Sequence, residues 1–339
     1  MKYHLSIFGC QYNEWDGARI KYLLDQLGFV ESTAKDAEII ILLACSVRKS
    51  ATDRVFGQID NWKEKITIVG GCILKGDKRR FLERDVKIFD SNNLETLINI
   101  LSGYAKKQPT NAKIGQWNNT TNYVPIMLGC NNFCSYCAVP YTRGREKSRP
   151  FEEVMSDVRK LVEKNAKEIV LLGQNVNSYS FGFAKLLKEI NDLPGDFKIS
   201  FMSNHPKDMS DEIIEAVANL PKVKKEIHLP LQSGSDKILR AMNRPYTAEK
   251  YLNIVKAIKS KIKNVKLTTD IIVGFPGETE EDSQETLELI KKIKFAQAFV
   301  NKYSPREGTA AFKLGDPIPW AEKQRRWRIL NDLTNIHKI

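Results

Sequence analysis

No apolar run in this 339-residue chain approaches the ~18 residues that a membrane-crossing helix needs. The longest such stretches, Ile39–Cys45 and Ile66–Leu74, have the length of buried strands. The amino terminus, Met1-Lys2-Tyr3-His4, enters strand-like alternation at once, without the charged-then-apolar pattern of a secretory leader. A cytoplasmic location with no membrane contact is therefore expected. There is no repeat at solenoid period and no low-complexity tail. Acidic residues are in deficit, 41 against 53 Lys and Arg, which leaves a formal charge of +12. The imbalance is uneven, with 17 basic against 14 acidic residues in 1–110 and 36 against 27 in the remainder. Such a surplus attracts polyanions through counterion release, so RNA is a candidate partner, although a solvated basic surface has the same composition.

Cysteine is also sparse. The six, Cys10, Cys45, Cys72, Cys130, Cys134 and Cys137, could form three disulfides. A chain of this length without a leader has little need of them, and metal binding or catalysis is the better explanation.

What the sequence does contain is alternation. Strand-like runs at His4–Phe8, Glu38–Leu43, Ile66–Gly70 and Val86–Phe89 are separated by helical patterns near Asn13–Gly28, Arg48–Lys63 and Lys75–Arg84, with another at Leu94–Leu101. This predicts an α/β domain over residues 1–102 with a doubly wound parallel sheet. Residues 103–122 are polar and turn-rich and read as a linker. A second alternation fills 123–339. Its six strands are Val124–Leu128, Glu168–Leu172, Lys198–Met202, Glu226–Leu231, Lys266–Val273 and Ala298–Tyr303. Helices are expected near 151–164, 182–192, 208–219, 235–259 and 280–293, and a last one over Trp320–His337. Six βα steps with right-handed crossovers curl into a partial, open (β/α)6 barrel of the TIM type.

The cysteines fall at meaningful places in this pattern. Cys10, Cys45 and Cys72 each follow one of the first three strands, and in a parallel sheet the strand carboxyl ends line one edge, where ligand sites gather. Three unrelated buried thiols are the alternative. Cys130, Cys134 and Cys137 sit just past the first barrel strand, on the face that carries barrel active sites. A zinc site would need a fourth ligand and a different spacing. Three thiolates on a cubane of four irons leave one iron open. That iron can hold the amino and carboxylate groups of S-adenosylmethionine (SAM) and pass one electron to its sulfonium.

At this point the sequence resembles the radical SAM methylthiotransferases over nearly its whole length. The residues that carry the resemblance include Gly9-Cys10-Gln11-Tyr12-Asn13, Cys45-Ser46-Val47-Arg48, Gly70-Gly71-Cys72, and Pro140-Tyr141-Thr142-Arg143-Gly144-Arg145-Glu146. Further along stand Leu172-Gly173-Gln174-Asn175, His228-Leu229-Pro230-Leu231-Gln232-Ser233 and Gly274-Phe275-Pro276-Gly277. The resemblance implies two [4Fe–4S] clusters. Cys130, Cys134 and Cys137 would hold the SAM-cleaving cluster, and Cys10, Cys45 and Cys72 an auxiliary cluster that carries the sulfur to be inserted. One SAM would methylate that sulfur, and a second would yield a radical that removes hydrogen from adenine C2. The motifs favour the branch whose substrate is the prenylated adenosine beside the anticodon. The anticodon stem-loop of tRNA is thus the expected partner, with an unidentified electron donor, and a monomer is expected. Sister enzymes act on threonylcarbamoyladenosine or on a ribosomal-protein aspartate; a non-catalytic iron–sulfur or zinc RNA-binding protein is the alternative of another class.

By the same resemblance, SAM contacts are expected from Gly173, Gln174 and Asn175 and from Gln232, Ser233 and Asp270, with Tyr136 near the adenine. The Gly274–Gly277 loop reads as a cover for SAM or as a plain tight turn. Two basic runs, Arg143 to Arg149 and Lys323 to Arg328, read as RNA contacts or as solvated faces. His205 and His228 face the barrel mouth but are not expected to bind metal. Two departures from the family pattern stand out. Leu43-Ala44 precede Cys45 where the family carries Asn-Thr or Asn-Ser, and the RNA-binding TRAM domain that usually follows is expected to be absent from 1–339.

Overall fold

The computed structural model describes residues 1–47, 49–105 and 120–335, so Arg48 and most of the expected linker lie outside the described residues. The chain divides into two compact units: Met1–Tyr123 with Tyr141–Arg143, and Val124–Pro140 with Gly144–Ile339. Both are α/β. Among the described residues no helix is long and apolar enough to cross a membrane.

In the first unit, β1 (Lys2–Ile7), β2 (Val30–Glu31), β3 (Ile39–Cys45), β4 (Ile66–Cys72) and β5 (Lys87–Ile88) form one sheet in the order β2-β1-β3-β4-β5. Every pairing in it is parallel. Helices α1 (Gln11–Gln26), α2 (Lys49–Asn61) and α3 (Lys75–Leu82) lie in connections between its strands, and α4 (Glu95–Leu101) follows β5. The central strand explains its own composition. Ile39, Ile41 and Leu43 pack into one apolar cluster with α1 residues such as Ile20 and Leu24. Ile40, Leu42 and Ala44 pack into another with Val55, Phe56 and Phe81. A strand covered on both faces reads as a continuous apolar run rather than an alternation. Strand β2 was not legible, because two exposed residues at a sheet edge leave no periodic signal.

In the second unit, β6 (Tyr123–Pro125), β9 (Glu168–Leu172) and β10 (Lys198–Phe201) form one three-stranded sheet. A second is formed by β11 (Glu226–His228), β12 (Lys266–Val273) and β13 (Gln297–Lys302). A parallel bridge from Ile199 to Val223 continues the first sheet toward the second. Among the described residues no pairing joins β13 back to β6, so the arc is open as expected for a partial barrel. The first expected strand is broken at Ile126: its end, β7 (Met127–Leu128), leaves the sheet and pairs antiparallel with β8 (Lys147–Ser148). The helix expected over 235–259 is two helices, Asp236–Ala241 and Ala248–Lys261. Asn243 between them takes φ +55°, and Pro245 disfavours helical backbone at Arg244.

Candidate metal and cofactor site

Register brings two thiols of the first unit side by side. Cys45 and Cys72 are paired across the β3–β4 ladder, and neighbouring strands run ~4.8 Å apart. Cys10 is the exposed residue before α1, and its carbonyl accepts from the amides of Asn13 at 2.8 Å and Glu14 at 3.2 Å. Gly71 makes the close approach possible. Its φ is +99°, and a Cβ there would stand 2.4 Å from the Ala44 carbonyl. The Cys72 thiol is held well above its ordinary pKa by its hydrogen bond with Cys45 and by burial, against the pull of Arg143.

The second triplet lies in a loop clamped by the β7–β8 ladder, with the Cys130 amide donating to Gly144 O at 3.2 Å. Gly129 opens this loop at φ +78°, where a Cβ would meet Arg145 O at 2.2 Å. Burial, joined by the charge of Cys134, pushes the Cys137 thiol up to about 12. Burial likewise raises Cys130. Thiols this reluctant to ionise become thiolates where a metal supplies the compensating charge. Arg244, buried and absent from the expected site, donates Nη1 to Cys134 Sγ at 3.5 Å and Nη2 to Pro230 O at 2.6 Å. Among the described residues no three His, Cys, Asp or Glu side chains converge to hold a metal ion. A cubane makes no such demand, since each thiolate binds a different iron.

The expected SAM contacts separate into two groups. Asn175 and Gln232 are buried, and each keeps a side-chain oxygen without a hydrogen-bond partner. Gln232 also takes φ +73°, a strained backbone of the kind retained at ligand sites. The others have partners of their own. Gln174 Oε1 accepts from the Gly129 amide at 2.6 Å. Ser233 accepts from the Ser235 amide at 3.2 Å and lies beside Thr286. Asp270 meets His228 Nε2 at 3.1 Å. Tyr136 packs its ring against the cluster of Ile238, Met242, Phe275 and Tyr303. A Cβ on Gly173 would stand 2.5 Å from the Met127 side chain.

Two residues outside the expected set join Asn175 and Gln232. Asn204 leaves its Oδ1 unpartnered, as His205 does its Nε2. The Lys207 amide donates to His205 Nδ1 at 3.3 Å, which makes Nε2 the buried donor. These four residues follow the carboxyl ends of β9, β10 and β11, and Asn204 Nδ2 ties two of those ends together by donating to His228 O at 3.0 Å. Four orphaned polar atoms at one barrel end fit a polar ligand. The family resemblance points to Asn175 and Gln232 in advance, whereas nothing local separates Asn204 or His205 from ordinary residues after a strand.

Three members of the basic runs, Arg143, Lys323 and Arg326, are buried inside the fold, while Arg145, Lys147, Arg325 and Arg328 are exposed. Lys323 is buried, paired with Asp316 and donating to Tyr303 O at 3.1 Å. Arg326 is buried against Glu278 at 2.6 Å, and Arg325 pairs with Glu280 and Glu322. Arg143 is buried as well. The Gly274 amide is bound by both Glu278 oxygens, at 3.1 and 3.0 Å, so its loop is a turn braced from within.

The chain matches the model of the Radical SAM superfamily over residues 124–290 and that of Uncharacterized protein family UPF0004 over residues 2–90. It is 41% identical to the tRNA-2-methylthio-N(6)-dimethylallyladenosine synthase of Carboxydothermus hydrogenoformans, across 98% of this chain and 83% of that protein. The enzyme of the same name from Thermoanaerobacter pseudethanolicus is 40% identical, across 98% and 78%. The chain belongs to this family of radical SAM methylthiotransferases. A solved radical SAM methyltransferase from Kitasatospora setae, with cobalamin and a [4Fe-4S] cluster bound, has the same fold at a TM-score of 0.59 and 12% identity, covering 92% of this chain and 77% of that one. With the family come its cofactors, SAM and [4Fe–4S] clusters. The residues present fit them: two sets of three thiols, one per unit, and orphaned polar groups at the barrel end of the unit that holds the second set.

Proposed function

We propose that this enzyme inserts a methylthio group at C2 of an N6-prenylated adenosine beside the anticodon of tRNA, in the cytoplasm, as a monomer served by a separate electron donor. The observation that carries the reading is the pair of thiol triplets on separate units, in a chain that aligns with such synthases over 98% of its length. Residues 1–102 would form the auxiliary-cluster domain and 123–339 the radical SAM domain. Cys10, Cys45 and Cys72 would hold one cluster, and Cys130, Cys134 and Cys137 the other. Asn175 and Gln232 would bind SAM through their orphaned oxygens, with Gly173 keeping the wall thin beside them.

When bound, these cofactors supply a hydrogen-abstracting radical and the sulfur atom, chemistry that an unactivated aromatic C–H bond requires and side chains cannot provide. The chain's own residues position and shield. Gln174 fixes the start of the cysteine loop through the Gly129 amide, and Arg244 holds the Cys134 sulfur by a hydrogen bond. His205, buried and held at a pKa of about 2, stays neutral and offers a hydrogen-bond donor without adding charge.

The decisive experiment is nucleoside mass spectrometry on matched anticodon stem-loops, prenylated and unmodified, with reconstituted enzyme and SAM. Burial of a five-carbon arm is worth ~0.8 kcal/mol per carbon, so even half of that gives roughly tenfold or more in favour of the prenylated substrate. Equal rates on the two would refute the branch assignment.

A further inference from the structure

We infer that Arg143 tunes the reduction potential of a cluster held by the thiols of the first unit, as a positioning residue that donates to Cys72 and is itself held by Asp16. This rests on the reading of Cys10, Cys45 and Cys72 as cluster ligands and goes beyond it. Arg143 belongs to the first unit although its chain neighbours from Gly144 onward do not. Its Nε donates to Cys72 Sγ at 2.9 Å. Nη2 donates to Asn13 Oδ1 at 2.9 Å and to Asp16 Oδ2 at 2.7 Å, and Nη1 reaches Asn92 Oδ1 at 3.1 Å. The guanidinium carbon lies 4.6 Å from the centre of the Tyr12 ring. The side chains of Arg143 and Asp16 are 1% and 2% exposed.

Such a pair is weak evidence for a role in stability. Removing two ions from water costs several kcal/mol each, and apolar replacements of buried pairs are often as stable or more so. Its geometry suits another purpose. A guanidinium is charged at every accessible pH and presents its donors in a fixed fork. Here one arm of the fork is spent on a sulfur and another on the carboxylate that holds it. Hydrogen bonds to ligand sulfurs and local net charge set the reduction potential of an iron–sulfur cluster. Arg143 makes the more negative, reduced state easier to reach, and Asp16 opposes it. The two residues therefore act with opposite sign on one potential, which a purely structural pair would not do.

The test uses the full chain with Cys130, Cys134 and Cys137 replaced by alanine, so that iron can be held only by the first unit. Arg143→Gln, Arg143→Lys and Asp16→Asn are added singly, and each protein is reconstituted, assayed for iron and titrated potentiometrically with EPR detection. Arg143→Gln should lower the midpoint, changing the reduced-to-oxidised ratio at a fixed potential at least tenfold, which is 59 mV for a one-electron couple. Asp16→Asn should raise it, and Arg143→Lys should fall between Arg143→Gln and the parent. Shifts of the same sign in Arg143→Gln and Asp16→Asn, or an unmoved midpoint with full iron, overturn the inference. If Arg143→Gln does not fold, the opposite shifts of Arg143→Lys and Asp16→Asn decide it in the same way. A background without iron refutes the ligand assignment, and the inference falls with it; iron present with an unmoved midpoint refutes the inference alone.

Discussion

Replacing Arg326 by methionine should destabilise the second unit strongly, and by more at high pH than at low. Glu278 and Arg326 have side chains 5% and 6% exposed and meet at 2.6 Å. The carboxylate otherwise accepts from backbone amides of its own turn, Gly274 and Phe275. Burial raises the Glu278 pKa, and Arg326 is the main force opposing that rise. Taking the cation away leaves a desolvated carboxylate in a braced turn. Breaking a buried pair from one side costs ~3–5 kcal/mol. At a urea slope of ~2–3 kcal/mol per M, the unfolding midpoint should fall by about 1–2 M.

The pH dependence has a definite sign. A carboxyl group whose folded pKa lies above its unfolded value of ~4.3 binds more protons when folded, so stability is full below the unfolded value and is lost as pH rises through the folded one. Loss of Arg326 moves the folded value further up, and the deficit of Arg326→Met should be larger at pH 8 than at pH 5. Glu278→Gln combined with Arg326→Met should recover most of the loss, since no charge is then buried and the Gly274 amide keeps an acceptor. Urea titrations of the single and double variants at both pH values measure this. An unmoved midpoint, or equal losses at the two pH values, would refute it.

His205 gives a pH effect of a different origin. Its folded pKa is pushed down to about 2, by burial first and then by Arg244 and Lys207, so below ~6.5 the unfolded chain binds a proton that the folded chain does not, and stability should decline as pH falls from 7 to 5. His205→Gln should flatten that decline in urea titrations, and an unchanged slope would refute the assignment. In tRNA binding measured across a salt series, Arg328→Gln should reduce the slope of log affinity on log salt by ~0.7–0.9. The exposed Arg328 differs in this from Arg326, whose loss should appear in stability and leave the salt slope unchanged.

Much of the architecture was legible because two periods suffice for it. The all-apolar run Ile39–Cys45 could only be a doubly covered strand or a short buried helix, and the turn residues around it favoured the strand. Once the strands were placed, the thiol positions followed, since Cys45 and Cys72 close their strands in register. Lys323, Arg326 and Arg143 show where composition misled. Lys323, Arg326 and Trp327 precede Leu330 by seven, four and three positions, and so fall on the stripe that buries Leu330. Helical spacing therefore carried the signal that Lys323 and Arg326 turn inward, and reading charge alone missed it. Arg143 offered no such signal. Its partners Asp16 and Asn13 stand 127 and 130 positions away, and no local pattern reports which residue of a loop is drawn inward.

The residues before Cys45 fit the cores they enter. Leu43 and Ala44 are fully buried on opposite faces of β3, each within an apolar cluster, so an asparagine at either position would need a partner the cores do not offer. A polar contact beside Cys45 is made from α1. Asn13 Nδ2 donates to Phe8 O at 3.2 Å and to Ala44 O at 3.0 Å, which fixes the backbone beside Cys45. Its Oδ1 receives Arg143 at 2.9 Å and lies 3.8 Å from Cys72 Sγ. One amide thus ties the backbone beside two thiols to the cation that faces the third element of the edge. An amide that donates to backbone and accepts from a guanidinium has no counterpart among aliphatic side chains, and a carboxylate there would have no proton for the two carbonyls. Asn13, itself one of the residues of the family pattern, thus braces the thiol edge from the helix that the first thiol begins, whatever precedes Cys45.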